Sequence, residues 1–119
     1  MSKILVIKAT HGLDDPERAN LACNVAAVGV ASGLDVHLFL AVDAVNLGLP
    51  EPPDLEVPHA PPIADLLEAV YGAGQVVVCT PCAARRGLEP EDFREGTVMG
   101  GSALFVELAT SEDATALVY

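Results

Sequence analysis

Apolar residues arrive in short, nearly continuous runs set between turn-forming residues, and longer stretches of helical composition fill the spaces between them. KILVIKA, Lys3 to Ala9, is the first such run. Its unbroken aliphatic character predicts a strand covered on both faces. After the loop Thr10 to Asp14, Asp15 is placed to cap a helix with Pro16 at its first position and Glu17 in its first turn. That helix is expected to run to about Ser32 and to stop at Gly33. LDVHLFLA, Leu34 to Ala41, reads as a second strand, followed by Asp43 as the cap of a short helical turn through Leu47. Together these segments form a β-α-β unit.

Six of the nine prolines then fall between Pro50 and Pro62, a density that neither a helix nor a central strand tolerates. One long loop is predicted, of the kind that serves as a lid, a binding loop or a contact surface. A helix from Ile63 to about Gly72–Gly74 leads into QVVVC, Gln75 to Cys79, a third strand. Pro81 to Arg86 reads as a short helix closed by Gly87. A fourth strand is expected around Thr97 to Met99, a helix over Ser102 to Ala109 and a last strand over Ala116 to Tyr119. Alternating strands and helices predict an α/β fold with a mostly parallel sheet, in one domain spanning residues 1–119. In the first helix, Leu21, Val25 and Val28 are expected to form the core stripe. The outer surface would then carry Ala22, Ala26, Ala27, Gly29, Val30 and Ala31, with Asn20 and Asn24 the only uncharged polar residues in its middle. So weak a solvent face suits a subunit interface, centred on Ala27, Val30 and Ala31.

Composition narrows the partners. Six Lys+Arg against 17 Asp+Glu give a formal charge of −11. No basic footprint for a nucleic acid exists. The opening segment has the look of neither a signal peptide nor a membrane helix, and three cysteines suggest reduced thiols in the cytoplasm rather than a disulfide scaffold.

The chemistry concentrates at Cys79 and Cys82, on the turn from a buried strand to a short helix. Ligands and reactive groups in open α/β sheets collect beyond the carboxyl ends of the strands. Free backbone N–H groups in the first helical turn, with Arg85 and Arg86 one turn on, are expected to favour a thiolate at Cys79, and the thiolate is the nucleophile. Cys82 is then a neighbour or a resolving thiol. His11 and Asp43 fall on the same edge as candidate binding residues, although capping also accounts for Asp43. A metal is not expected: one C-x-x-C pair stands beside isolated Cys23, His11, His37 and His59, with no second pair at ligand spacing. His37 reads as a satisfied buried histidine. No cofactor is implied. Three readings stay open: a persulfide carrier with sulfurtransferase-like chemistry, a thiol-disulfide oxidoreductase using both cysteines, and a non-catalytic oligomeric binding module.

VVVCTPCAARRGL, Val76 to Leu88, together with LFLAVDAVNLGL, Leu38 to Leu49, resembles the DsrE/DsrF-like family, including its YchN branch. ILVIKATHGLDDPERA near the start and the closing helix and strand are also similar, so the resemblance covers nearly the whole chain. The resemblance implies a parallel five-stranded sheet between helix layers and homo- or hetero-oligomers, here a trimer or hexamer. It also places Cys79 where sulfur-relay members carry their active cysteine, with sulfur donor and acceptor proteins as partners.

Overall fold

The computed structural model describes residues 3–119. Five strands, β1 (Ile4–Ala9), β2 (Asp35–Leu40), β3 (Gln75–Cys79), β4 (Val98–Gly100) and β5 (Ala114–Val118), form one sheet in the order β4-β3-β2-β1-β5. Every pairing is parallel. The expected three-layer α/β/α architecture is therefore present. Four α-helices connect the strands: α1 (Pro16–Ala31), α2 (Ile63–Ala73), α3 (Thr80–Arg85) and α4 (Ser102–Ala109), with a 3-10 turn at Val42–Gly48.

The layers follow from the handedness of parallel crossovers. From β1 to β2 to β3 the chain steps in one direction, so right-handed connections put α1 and α2 on the same face. The return from β4 to β5 runs the other way. It puts α4 on the opposite face. Ile7, Val36, Leu38, Leu40, Val76 and Val78 point to the α1–α2 side, and Val6, Phe39 and Val77 to the α4 side. The two covers are unequal: α1 and α2 each contribute several buried residues, whereas α4 contributes none.

Asp15 caps α1 as its sequence predicts, accepting from the Arg18 N–H. The buried face of that helix is another matter. Leu21 and Val28 are 47% and 58% exposed, and Ala19, Ala22, Cys23, Ala26 and Gly29 face the core instead. Close approach explains the inversion. A Cβ at Gly29 would stand 2.8 Å from Leu5 Cδ2 and 3.0 Å from Val36 Cγ2, so a stripe of small residues lets the helix lie directly on the sheet. Ala22, Ala26 and Gly29 thus leave the expected interface surface, and Ala27 and Val30 pack partly against the core. Asn20, only 3% exposed, donates from Nδ2 to the Pro61 carbonyl at 2.8 Å and pins the proline loop to α1. Leu55 of that loop is buried in the same core, which makes the loop a packed strap rather than a free connection.

Two boundaries differ from expectation. The last strand starts at Ala114, two residues early, because an edge strand of small residues carries little apolar signal. Asp43 lies inside the 3-10 turn, and Ala41 holds the cap position. Among the described residues no helix is long and apolar enough to cross a membrane.

Candidate thiol site at the carboxyl edge of the sheet

The strands β1, β2 and β3 end along one rim, and the segments that follow them assemble there. After β1, the His11 ring Nδ1 lies 2.8 Å from Asp14 Oδ2, and Asp14 Oδ1 accepts from the Gly12 N–H at 2.8 Å. Those contacts, that from Gly12 foremost, hold the Asp14 carboxyl below its usual range. Asp43, after β2, accepts from Asp14 N–H at 3.4 Å and from Asn46 Nδ2 at 3.3 Å. Only glycine fits at position 12, where a Cβ would sit 2.7 Å from both the Asp43 carbonyl and its carboxylate. His11 and Asp43 thus share one small polar cluster. Its recorded contacts run within and between these two loops.

At the switch point between β1 and β5, where such sheets commonly bind ligands, Thr10 closes the gap. Its N–H and hydroxyl both donate to the Tyr119 carbonyl, at 3.0 and 2.6 Å. The thiol pair stands two strands away, at the end of β3.

Cys79 ends β3 and precedes α3 at the N-cap position; Cys82 follows three residues on, inside the first turn. Cys79 is half-buried and Cys82 is 7% exposed. The two thiols are electrostatically distinct. Burial pushes the Cys79 thiol up and the Cys82 side chain adds to the rise, against smaller downward pulls from the Cys82 amide and the Lys8 charge. Burial also opposes ionisation of Cys82. It is outweighed there by hydrogen bonding from the Cys79 thiol, by the Val42 amide and by the charges of Arg85 and Arg86, so Cys82 lies below an ordinary thiol. Arg85 and Arg86, expected to favour a thiolate at Cys79, act on the inner sulfur.

Arg86 reaches back to donate from Nη1 to the Cys82 carbonyl at 3.1 Å, closing α3, while Arg85 is exposed in its last turn. Two contributors went unnoticed in the sequence. Val42 is a β-branched residue at φ +55°, a backbone conformation such side chains rarely take, and no composition signal marks it. Lys8 did carry a signal, as a charge inside an otherwise apolar central strand. Its register with Phe39, and that of Phe39 with Val77, puts it on the α4 side, where its Nζ stands 4.0 Å from the Phe105 ring centroid. Cys79, two residues beyond Val77, ends the strand and packs in part against the larger core.

The remaining candidates lie elsewhere. His37 is half-buried at the opposite end of the sheet, with Nδ1 3.0 Å from Gln75 Oε1 and Nε2 3.2 Å from Asp35 Oδ1, so it is satisfied as expected. Cys23 is buried in α1, where desolvation pushes its thiol up to about 12. His59 is exposed in the proline loop. Among the described residues no three His, Cys, Asp or Glu side chains gather as metal ligands.

With the site in view, comparison with known proteins is informative. The model of the DsrE/DsrF-like family matches residues 3–115. The chain belongs to the DsrE/DsrF-like family. An uncharacterized protein of Methanopyrus kandleri is 36% identical over 111 residues, covering 92% of this chain and 79% of that protein. An uncharacterized protein of Methanocaldococcus jannaschii is 33% identical over 116 residues, covering 97% and 89% respectively. The crystal structure of the YchN protein of E. coli superposes with a TM-score of 0.70 at 23% identity, covering all of both chains. A protein of unknown function from Methanobacterium thermoautotrophicum does so with a TM-score of 0.68 at 13% identity, again over both whole chains. At identities this low, these two structures show a shared fold.

Proposed function

We propose that this protein handles sulfane sulfur, carrying it as a persulfide on Cys79 and passing it to an acceptor protein. The observation that carries the reading is the half-exposed Cys79 beside the buried, thiolate-favouring Cys82, at the carboxyl edge of a DsrE/DsrF-like fold whose family is associated with sulfur relay. Cys79 gives its proton to the Cys82 sulfur and attacks the outer sulfur of a donor persulfide. A bond forms between Cys79 Sγ and that sulfur, and the donor leaves as a thiolate. Lys8 on the α4 side offers charge for the new anion. Leu13 and Val42, 59% and 47% exposed on the loops of the same rim, offer an apolar footing for donor or acceptor.

The protein acts as a homo-oligomer in this proposal. Support comes from the thin α4 cover, with Val106 on α4 and Val118 on the edge strand both exposed.

Intact mass after incubation with a low-mass persulfide tests the assignment. A gain of one sulfur that maps to Cys79 is expected, most lasting in Cys82→Ser and absent in Cys79→Ser. Equal gain in Cys79→Ser, or no gain in either wild type or Cys82→Ser, refutes it.

A further inference from the structure

We infer that the site has a second exit for sulfur: Cys82 discharges the persulfide on Cys79 as hydrosulfide and leaves a Cys79–Cys82 disulfide. The inference rests on the persulfide reading above and assigns that same site a reductive activity.

Position comes first. Cys79 ends the strand and Cys82 lies three residues on in the following helical turn, a spacing that stacks two side chains on one side of a turn. Their thiols are close enough to perturb each other's ionisation. Access is divided between them. A donor protein meets the half-exposed Cys79, whereas Cys82 is only 7% exposed and closed to so large a partner. Sulfur therefore arrives on one cysteine and is attacked by the other.

Val42 supplies an independent observation. A β-branched residue held at φ +55° is backbone strain, and its side chain is 47% exposed, so core packing gives no reason for it. The 3-10 turn that Val42 opens packs against α3, which carries Cys82. Backbone strain next to the thiol pair fits a functional edge rather than a packing requirement.

The step balances without another reagent. Cys82 first gives the proton it took from Cys79 to the departing donor thiolate; as a thiolate it then attacks Cys79 Sγ, forming the Sγ–Sγ bond, while the bond from Cys79 Sγ to the outer sulfur breaks. That sulfur leaves with the electron pair and the proton it already carried, as HS⁻. The sulfane sulfur gains two electrons, and the two cysteine sulfurs supply them by becoming a disulfide. Attack at the inner rather than the outer sulfur is what distinguishes release from transfer. A dithiol reductant reopens the disulfide for the next turnover.

Full-length wild type, Cys82→Ser and Cys79→Ser are treated with glutathione persulfide, desalted, and followed for released sulfide and intact mass. Wild type should release about one equivalent of sulfide per chain while its mass settles two hydrogens below the reduced protein; dithiothreitol should restore a further round. Cys82→Ser should keep the added sulfur and release sulfide at least about tenfold more slowly, and Cys79→Ser should set the background. The wild-type disulfide and its match to sulfide equivalents are read without any variant. If wild type retains its extra sulfur as long as Cys82→Ser does, or the sulfur migrates to Cys82, the inference is overturned and the persulfide reading stands. If neither protein takes up sulfur nor releases sulfide above background, the persulfide reading falls and takes this one with it.

Discussion

Cys23 offers a quantitative check on how burial sorts the three thiols. It lies in the small-residue face of α1, and desolvation raises it from an ordinary 9.0 to about 12. The sign follows from proton counting. Above about pH 9 the unfolded chain loses this proton while the native chain keeps it, so the unfolded state binds fewer protons and stability falls as pH rises. The loss is absent below that range and would level off only near pH 12. At pH 10 it amounts to about 1–2 kcal/mol, and over the whole interval to about 4 kcal/mol. Cys23→Ala removes the group and leaves a small void, costing about 1–2 kcal/mol at neutral pH as a constant offset. Urea denaturation of both proteins between about pH 7 and pH 10 isolates the effect. Rises at Cys79 and Tyr71 have the same sign, but both proteins share them, so they cancel to first order in the difference. The wild-type advantage should therefore shrink by about 1–2 kcal/mol across this range. A difference that stays flat would mean that Cys23 is hydrated or transiently exposed, and the assignment of the α1 face to a dry core would fail.

Further expectations follow from single contacts. Asn20→Ala removes the donor to the Pro61 carbonyl and should cost about 1 kcal/mol, while limited proteolysis should cut the strap 50–62 faster than in wild type. Lys8→Met keeps the bulk of the side chain and removes its charge from the α4 side; persulfide loading of Cys79 at neutral pH, followed by mass, should slow roughly two- to fivefold with the fold intact by circular dichroism. Val106→Glu combined with Val118→Glu should lower the mass seen by light scattering toward that of a 12.3 kDa chain; wild type already at that mass would refute the oligomer proposal.

Much of the fold was legible because its signals are local. The continuous apolar runs of β1, β2 and β3, the Asp15–Pro16 start of α1 and the Gly33 stop each state their structure within a few residues. The orientation of α1 was not legible, since reading large aliphatics as inward ignores the distance between helix and sheet. Here that distance is short, and small residues win the core while Leu21 and Val28 turn outward. The two cysteines were equally plain in the sequence, but the left-handed backbone of Val42 on the same rim leaves no trace in residue type. His11 and Asp43 were rightly placed on the carboxyl rim, and the use of their polar atoms to tie two loops together became visible only with the hydrogen bonds.

The same winding that orders the strands connects the thin face of the sheet to the thiol edge. Because β1 to β3 advance one way and β4 to β5 return, α4 alone crosses the second face. Lys8 looks toward that face, whereas Cys79 and Cys82 both pack against the larger core. A charge on the outer cysteine is met by Lys8 and a charge on the inner cysteine by Arg85 and Arg86. In the proposed homo-oligomer, a subunit covering α4 and β5 would border Lys8 and leave the arginines alone. Assembly and loading then become separable: disrupting the α4 surface should alter loading of Cys79 through Lys8 without changing the ionisation of Cys82, because Val42, Arg85 and Arg86 all belong to the rim of the same chain.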